Sequence, residues 1–295
     1  MDIDQVRRLV LAQELLIPEQ EISIVDAREV RPAKLIHLYQ GALDRGDWFG
    51  STCESTDLRQ VAAEFVHNHC ANDQTLFFAF VDRNHGVVGA AALRNTDSGL
   101  LLDEAQIDPL GRRRGIISAY SRRLLPVLDL FGRYWTEFLL TPGTRVLRKI
   151  AITEWGMIPM GLKPDYYLSR TTGRRHSVLI AYGPHPTVTA ILEGARRETS
   201  GELLDIIRGS SCTETVAGGS HYSSHYEEVT IEHGDTQQFD RYRAQGFLPI
   251  EFNPFRRTTI LAKFPIDKLV SLQFLEHEGI EAASKLLAYC RRQTS

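Results

Sequence analysis

The sequence predicts an α/β (α+β) fold: a mixed central sheet with helices on it, followed by a smaller α/β lobe. Three observations carry this. Apolar stretches of strand length alternate with amphipathic stretches of helix length. An apolar strand, Leu100 to Ile107, runs into a short loop rich in arginine and glycine, and a helix opens near Gly115. Two helices that stop at a glycine, Gly156 and Gly246, are each followed by a pair of strands.

Taken in order, Asp4 to Leu16 reads as a helix with Asp4 as its N-cap and Val6, Leu9 and Val10 on one side. Ile22 to Val25 is a first strand. Pro32 stands where a helix can begin, and Leu35, Leu38, Tyr39 and Ala42 follow at helical spacing. Residues 45–50 read as a loop with two exposed aromatics, Trp48 and Phe49. The next helix, Asp57 to His69, carries Leu58, Val61, Ala62 and Phe65 on one stripe.

Three strands follow: Leu76 to Val81, Val87 to Leu93 and Leu100 to Ile107, the first two joined by the hairpin-like 82–86. Pro126 is expected to kink or end the helix after the Arg-rich turn. A strand at Tyr134 to Leu140 and a helix from Thr144 to Trp155, closed by Gly156, come next. Strands at Met157–Leu168 and His176–Tyr182 complete this part.

Bulk properties narrow the function. The chain has 295 residues, 24% charged, with a formal net charge of −3. That balance argues against a nucleic-acid binder, which usually carries a basic excess. Nothing approaches the roughly 18 apolar residues of a membrane span. Cys53, Cys70, Cys212 and Cys290 form no C-x-x-C pair, and the N-terminus has no signal layout, so a cytoplasmic location with reduced thiols is expected.

The turn Ile107-Asp108-Pro109-Leu110-Gly111-Arg112-Arg113-Arg114-Gly115-Ile116-Ile117 is the stretch with most chemistry. A strand, a glycine turn and a helix N-terminus together aim unpaired N–H groups at one point, which suits a phosphate or pyrophosphate. The alternative is an ordinary connection with a solvated basic loop. On the strand before it, Asp103 and Glu104 are acids in an apolar run. Alternation places Asp103 with Leu101, Ala105 and Ile107 and Glu104 on the opposite face, and Asp103 is the preferred base or amine-binding group.

With the succession β-α-α-β-β-β-α-β-α-β-β in place, residues 21–182 resemble the GCN5-related N-acetyltransferase family. Phe77 to Leu93 looks like its central hairpin. Ile107-Asp108-Pro109 with Arg112-x-x-Gly115-x-Ile117 looks like its acyl-CoA pyrophosphate motif, with Ile117 where the family uses a small residue. Glu154-Trp155-Gly156-Met157 resembles its Gly-Phe helix stop, with Ile152 where a Tyr often serves as acid. The resemblance implies acetyl-CoA or another acyl-CoA held by Ile107, Arg112, Arg113, Arg114, Gly115, Ile116 and Ile117. The Ile107 N–H would polarise the thioester carbonyl. Catalytic candidates are Asp103, Glu104 and Tyr182, the last on a strand where the family lines its acceptor site with residues such as Tyr166 and Tyr167.

The expected activity is therefore acyl transfer to a small-molecule amine by direct attack. The alternatives are a non-catalytic acyl-CoA-binding module or another reaction of the thioester, decarboxylation or hydrolysis. The expected organisation is an N-terminal helix (1–20), an acyl-CoA-binding domain (21–184) and a C-terminal lobe (185–295), with a homodimer left open. Tyr242 to Pro249 parallels Ile152 to Pro159, which suggests a partial internal repeat. The lobe is also read as helices at Thr187–Arg197, Glu202–Ile207, Ile266–Leu275 and Glu278–Arg291, strands at 228–232, 247–252 and 258–264, and a helix at 236–245. His221 and His225, with Cys212 and His233, invite a metal, but the segment reads as loop, and no metal is expected.

Overall fold

The computed structural model describes residues 2–12, 22–46, 48, 57–139, 147, 150–168, 175–183, 227–232, 235–253 and 255–263. The readings of residues 185–226 and 264–295, and the His221–His225 cluster, lie outside them. The chain forms two compact units, and the division falls in a strand between Tyr134 and Trp135. No helix among the described residues is long and apolar enough to cross a membrane.

The first unit carries four strands, β1 (Ile22–Asp26), β2 (Thr75–Asp82), β3 (Gly86–Thr96) and β4 (Gly99–Ile107), each antiparallel to the next. Its helices are α1 (Ile3–Leu11), α2 (Pro32–Asp44), α3 (Leu58–Ala71) and α4 (Ile116–Phe131). β5 (Tyr134–Leu139) follows α4. The chain returns along α4 and re-enters beside the start of β4, where the Leu100 N–H donates to the Arg133 carbonyl at 2.9 Å. That crossover gives the sheet its mixed character.

Local chemistry explains these elements. Pro32 opens α2 at its first turn, where its missing N–H costs nothing. Asp57 caps α3 by accepting from the Arg59 N–H at 3.0 Å. For α1 the cap is Asp2, accepting from the Gln5 N–H at 2.7 Å, not the expected Asp4, which lies inside the first turn. α4 contains Pro126 and runs to Phe131, where the left-handed Gly132, at φ 79°, stops it. Pro126 leaves the Arg122 carbonyl without its helical donor, at a cost of ~3 kcal/mol. Burial of Tyr120, Leu124, Val127 and Leu128 offsets it.

The second unit orders its strands β5-β7-β6-β9-β10-β8. These are β6 (Ile158–Leu168), β7 (Arg175–Tyr182), β8 (Glu227–Glu232), β9 (Leu248–Asn253) and β10 (Thr258–Lys263), with α5 (Thr236–Ala244) between β8 and β9. A π-helical turn, Ile150–Glu154, precedes β6. The architecture is the α/β (α+β) arrangement that the sequence predicts, a mixed sheet with helices on it.

Candidate active site

The candidate site lies on β4 and the turn that follows it, in the first unit. Leu102 pairs with Leu93 and Glu104 with Ala92, so Asp103 is one residue too many on its strand. This is a β-bulge, and it breaks the alternation that the sequence reading assumed. Asp103 and Glu104 consequently meet partners in the same layer of helices rather than on opposite faces. The Asp103 carboxylate takes His69 Nε2, from α3, at 3.4 Å and Arg94 Nε at 3.2 Å. Glu104 accepts from Trp48 Nε1 at 3.1 Å. Trp48 is not an exposed loop aromatic: it is 3% exposed and packs edge-on against Tyr39 and Phe65.

The two acids are driven apart electrically. Burial raises the Glu104 carboxyl from its ordinary 4.5 to about 8, and the neighbouring negative charge of Asp103 adds to it. Burial acts on Asp103 as well, but the His69 hydrogen bond and the Arg94 charge outweigh it and hold that carboxyl below its usual value. A carboxyl near 8 gives Glu104 a basicity matched to proton exchange near neutral pH. Tyr39 adds a buried hydroxyl with no hydrogen bond among the described residues. Burial, then the Glu104 and Asp103 charges, keep that hydroxyl protonated.

Three residues beyond Glu104, β4 ends at Ile107 and the turn begins. Asp108 N–H donates to the Val88 carbonyl at 2.9 Å, tying the turn to β3. Its carboxylate accepts from the Leu110 N–H at 2.9 Å, closing a single 3-10 turn, Pro109–Gly111. Arg113 is left-handed, at φ 63°, a strain of about 1–3 kcal/mol in a non-glycine residue. Gly115 follows at φ 72° as the N-cap of α4, and no side chain caps that helix. A glycine suits this place because the backbone is left-handed and the cap is open, with no atom within 4 Å of where a Cβ would stand. The first N–H groups of α4, up to the Ala119 N–H that bonds the Gly115 carbonyl, have no partner within the helix.

The arginines of the turn differ. Arg112 and Arg113 are exposed, and Arg112 Nε lies 3.4 Å from the Ile107 carbonyl. Arg114 instead pairs with Asp82, which is 4% exposed at the end of β2. Asp82 also accepts from the N–H groups of Asn84 and His85 at 2.7 and 2.8 Å. The Arg114 hydrogen bond, with those from His85 and Asn84, holds the Asp82 carboxyl far below its usual range. Arg114 therefore fastens the turn to the β2–β3 hairpin. Sequence reasoning missed Asp82, His69, Trp48 and Arg94, whose partnerships span up to 56 residues.

Tyr182, the remaining catalytic candidate, belongs to the second unit. It is 1% exposed, and its hydroxyl donates to Glu251 at 2.7 Å. Burial first, and then the charge of Glu251, raise that hydroxyl well above its ordinary value. Tyr167 likewise donates its hydroxyl to Glu137.

No protein-family model matches the chain, and no curated protein is significantly similar to it. Solved structures of N-acetyltransferases do resemble it. The ribosomal-protein-S18-alanine N-acetyltransferase of Escherichia coli is 17% identical with a TM-score of 0.40, covering 55% of this chain and 93% of that one. A GCN5-related N-acetyltransferase from Brucella melitensis is 19% identical with a TM-score of 0.41, covering 56% and 76%. A putative phosphinothricin N-acetyltransferase is 14% identical with a TM-score of 0.43, covering 55% and 98%.

Proposed function

We propose that the chain is an acyl-CoA-dependent N-acyltransferase, with acetyl-CoA as the simplest donor and a small-molecule amine as acceptor. The observation that carries this is the succession of a buried carboxyl on β4, raised to about 8, and an open helix N-terminus at Gly115, eight residues past the strand's end. The N–H groups from Arg113 to Ile117 would hold the pyrophosphate, with Arg112 and Arg113 adding positive charge. Gly115 leaves the approach clear.

In the reaction, Glu104 takes a proton from the acceptor ammonium, directly or through one water. The freed amine attacks the thioester carbonyl, and the Ile107 N–H is the candidate donor to the developing oxyanion. The tetrahedral adduct collapses to the amide, and the sulfur departs as thiolate. A CoA thiol of ordinary acidity (~8.5) leaves with little need for a dedicated acid near pH 8, which suits a chain with Ile152 where the family often has Tyr.

The test has two stages. Calorimetry with acetyl-CoA should show binding at micromolar concentration, and thiol release should then appear against a panel of primary amines. Binding without release across the panel would point to a ligand-holding module instead. Release without any amine would point to thioester hydrolysis.

A further inference from the structure

The second unit contains a symmetry that the site does not use. β7 pairs with β5 through Trp135↔Tyr182, Thr136↔Ala181 and Glu137↔Ile180, and with β6 through Ile158, Pro159 and Gly161 opposite the same three residues. β10 repeats this: Glu228, Val229 and Thr230 of β8, and Leu248, Pro249 and Glu251 of β9, face Ala262, Leu261 and Ile260. Each first strand skips one residue just after its proline, Met160 and Ile250. Each is preceded by a left-handed glycine, Gly156 at φ 63° and Gly246 at φ 87°. One spacing along the sequence relates Gly156 to Gly246, Pro159 to Pro249 and Gly161 to Glu251.

β6 and β9 then pair antiparallel with Gly161 opposite Glu251, two equivalent positions facing each other. That is the signature of a twofold, isologous seam. On such an axis two side chains would compete for one place. A Cβ on Gly161 would stand 3.0 Å from the Glu251 side chain, so the first half yields and the second fills the space.

The chemistry of the seam is one-sided. Glu251, 5% exposed, takes Lys163 Nζ at 3.0 Å and the Tyr182 hydroxyl at 2.7 Å. By the same equivalence, Asn253 stands for Lys163, Ala262 for Tyr182 and Gly161 for Glu251. The triad therefore forms in one direction only. If the β6 edges of two chains met instead, Gly161 would face Gly161 and each buried Lys163 would lack its acid. If two β9 edges met, Glu251 would face Glu251.

We infer that β8, α5, β9 and β10 are an internal repeat of β5 through β7, seated on the β6 edge as a built-in partner, and that Lys163, Glu251 and Tyr182 reserve this edge for the chain's own lobe over a second copy of the chain. No second Arg-x-x-Gly-x-small turn precedes the repeat in the sequence. On the acyl-CoA reading, the chain binds one acyl-CoA. The seam itself does not depend on that reading.

Hydrogen exchange on the full chain without ligand, read by mass spectrometry, tests the seam. Glu251→Gln should speed exchange at least tenfold in β6 and β9 together while leaving β2 to β4 unchanged. The charge-swapped pair Lys163→Glu with Glu251→Lys should bring both strands back to within about threefold of the unaltered protein, and light scattering should show no added dimer. If Glu251→Gln does not fold, the swapped pair folding with protected β6 and β9 supports the same conclusion. Exchange in β6 that ignores Glu251→Gln, or a swapped pair no better protected than the single variant, overturns the inference.

Discussion

Each unit buries acids, and they use them in opposite ways. In the second unit, Glu251 meets a cation and a hydroxyl donor, so the cluster is satisfied. Lys163 is accordingly held protonated: burial alone would lower it, but the Glu251 charge prevails and raises it. In the first unit, Asp103 takes His69 and the Arg94 cation, and Glu104 meets only the Trp48 indole N–H and the Ala105 backbone N–H among the described residues. One cluster is neutralised by its partners, and the other leaves a buried carboxyl without counter-charge. Burial does not distinguish them; the supply of counter-charge does.

This contrast predicts how each cluster breaks. The largest effect is expected at Glu104. Glu104→Gln should lower the rate of amine-dependent thiol release by about 10²–10⁴-fold, with acetyl-CoA affinity little changed and the melting temperature not lowered. A matching loss of stability would place Glu104 with the structural cluster instead. Next is Lys163→Met, which leaves Glu251 buried without its cation and should cost about 3–5 kcal/mol in urea denaturation, with acetyl-CoA affinity measured on the folded protein unchanged.

Smaller is the effect at the hairpin anchor. Asp82→Asn removes the charge that holds Arg114, and acetyl-CoA affinity should fall about tenfold, or ~1.4 kcal/mol. A fall in melting temperature without a fall in affinity would mean that Asp82 stabilises the hairpin and does not position the turn. Per unit of pH, the titration effects are no larger than this. Between 4.5 and about 8 the folded chain holds a proton on Glu104 that the unfolded chain releases. Stability should therefore decline as pH rises through that window, by at most about 1.4 kcal/mol per unit from this group. The rate should rise over the same interval as Glu104 ionises. Glu104→Gln should flatten both trends.

The fold was legible because its signals are local. Pro32 at a helix start, Asp57 at a cap, Gly156 and Gly246 at helix stops and the strand-turn-helix at Gly115 each act within a few residues. What was not legible depends on partners far along the chain. Period-two alternation cannot see the extra residue at Asp103, so it separated two acids that the bulge brings into one layer. Nor does it show that Trp48 packs on Tyr39 and reaches Glu104, or that Arg114 is spent on Asp82. The parallel between Ile152–Pro159 and Tyr242–Pro249 was visible in sequence, but the facing of Gly161 and Glu251 needed the sheet register.

The proposed function requires the turn from Arg112 to Ile117 to hold an acyl-CoA. Isothermal calorimetry of the full chain with acetyl-CoA tests it most directly. One site per chain with a micromolar dissociation constant, weakened about tenfold by Asp82→Asn, is the predicted result. No heat of binding at several hundred micromolar acetyl-CoA would contradict it.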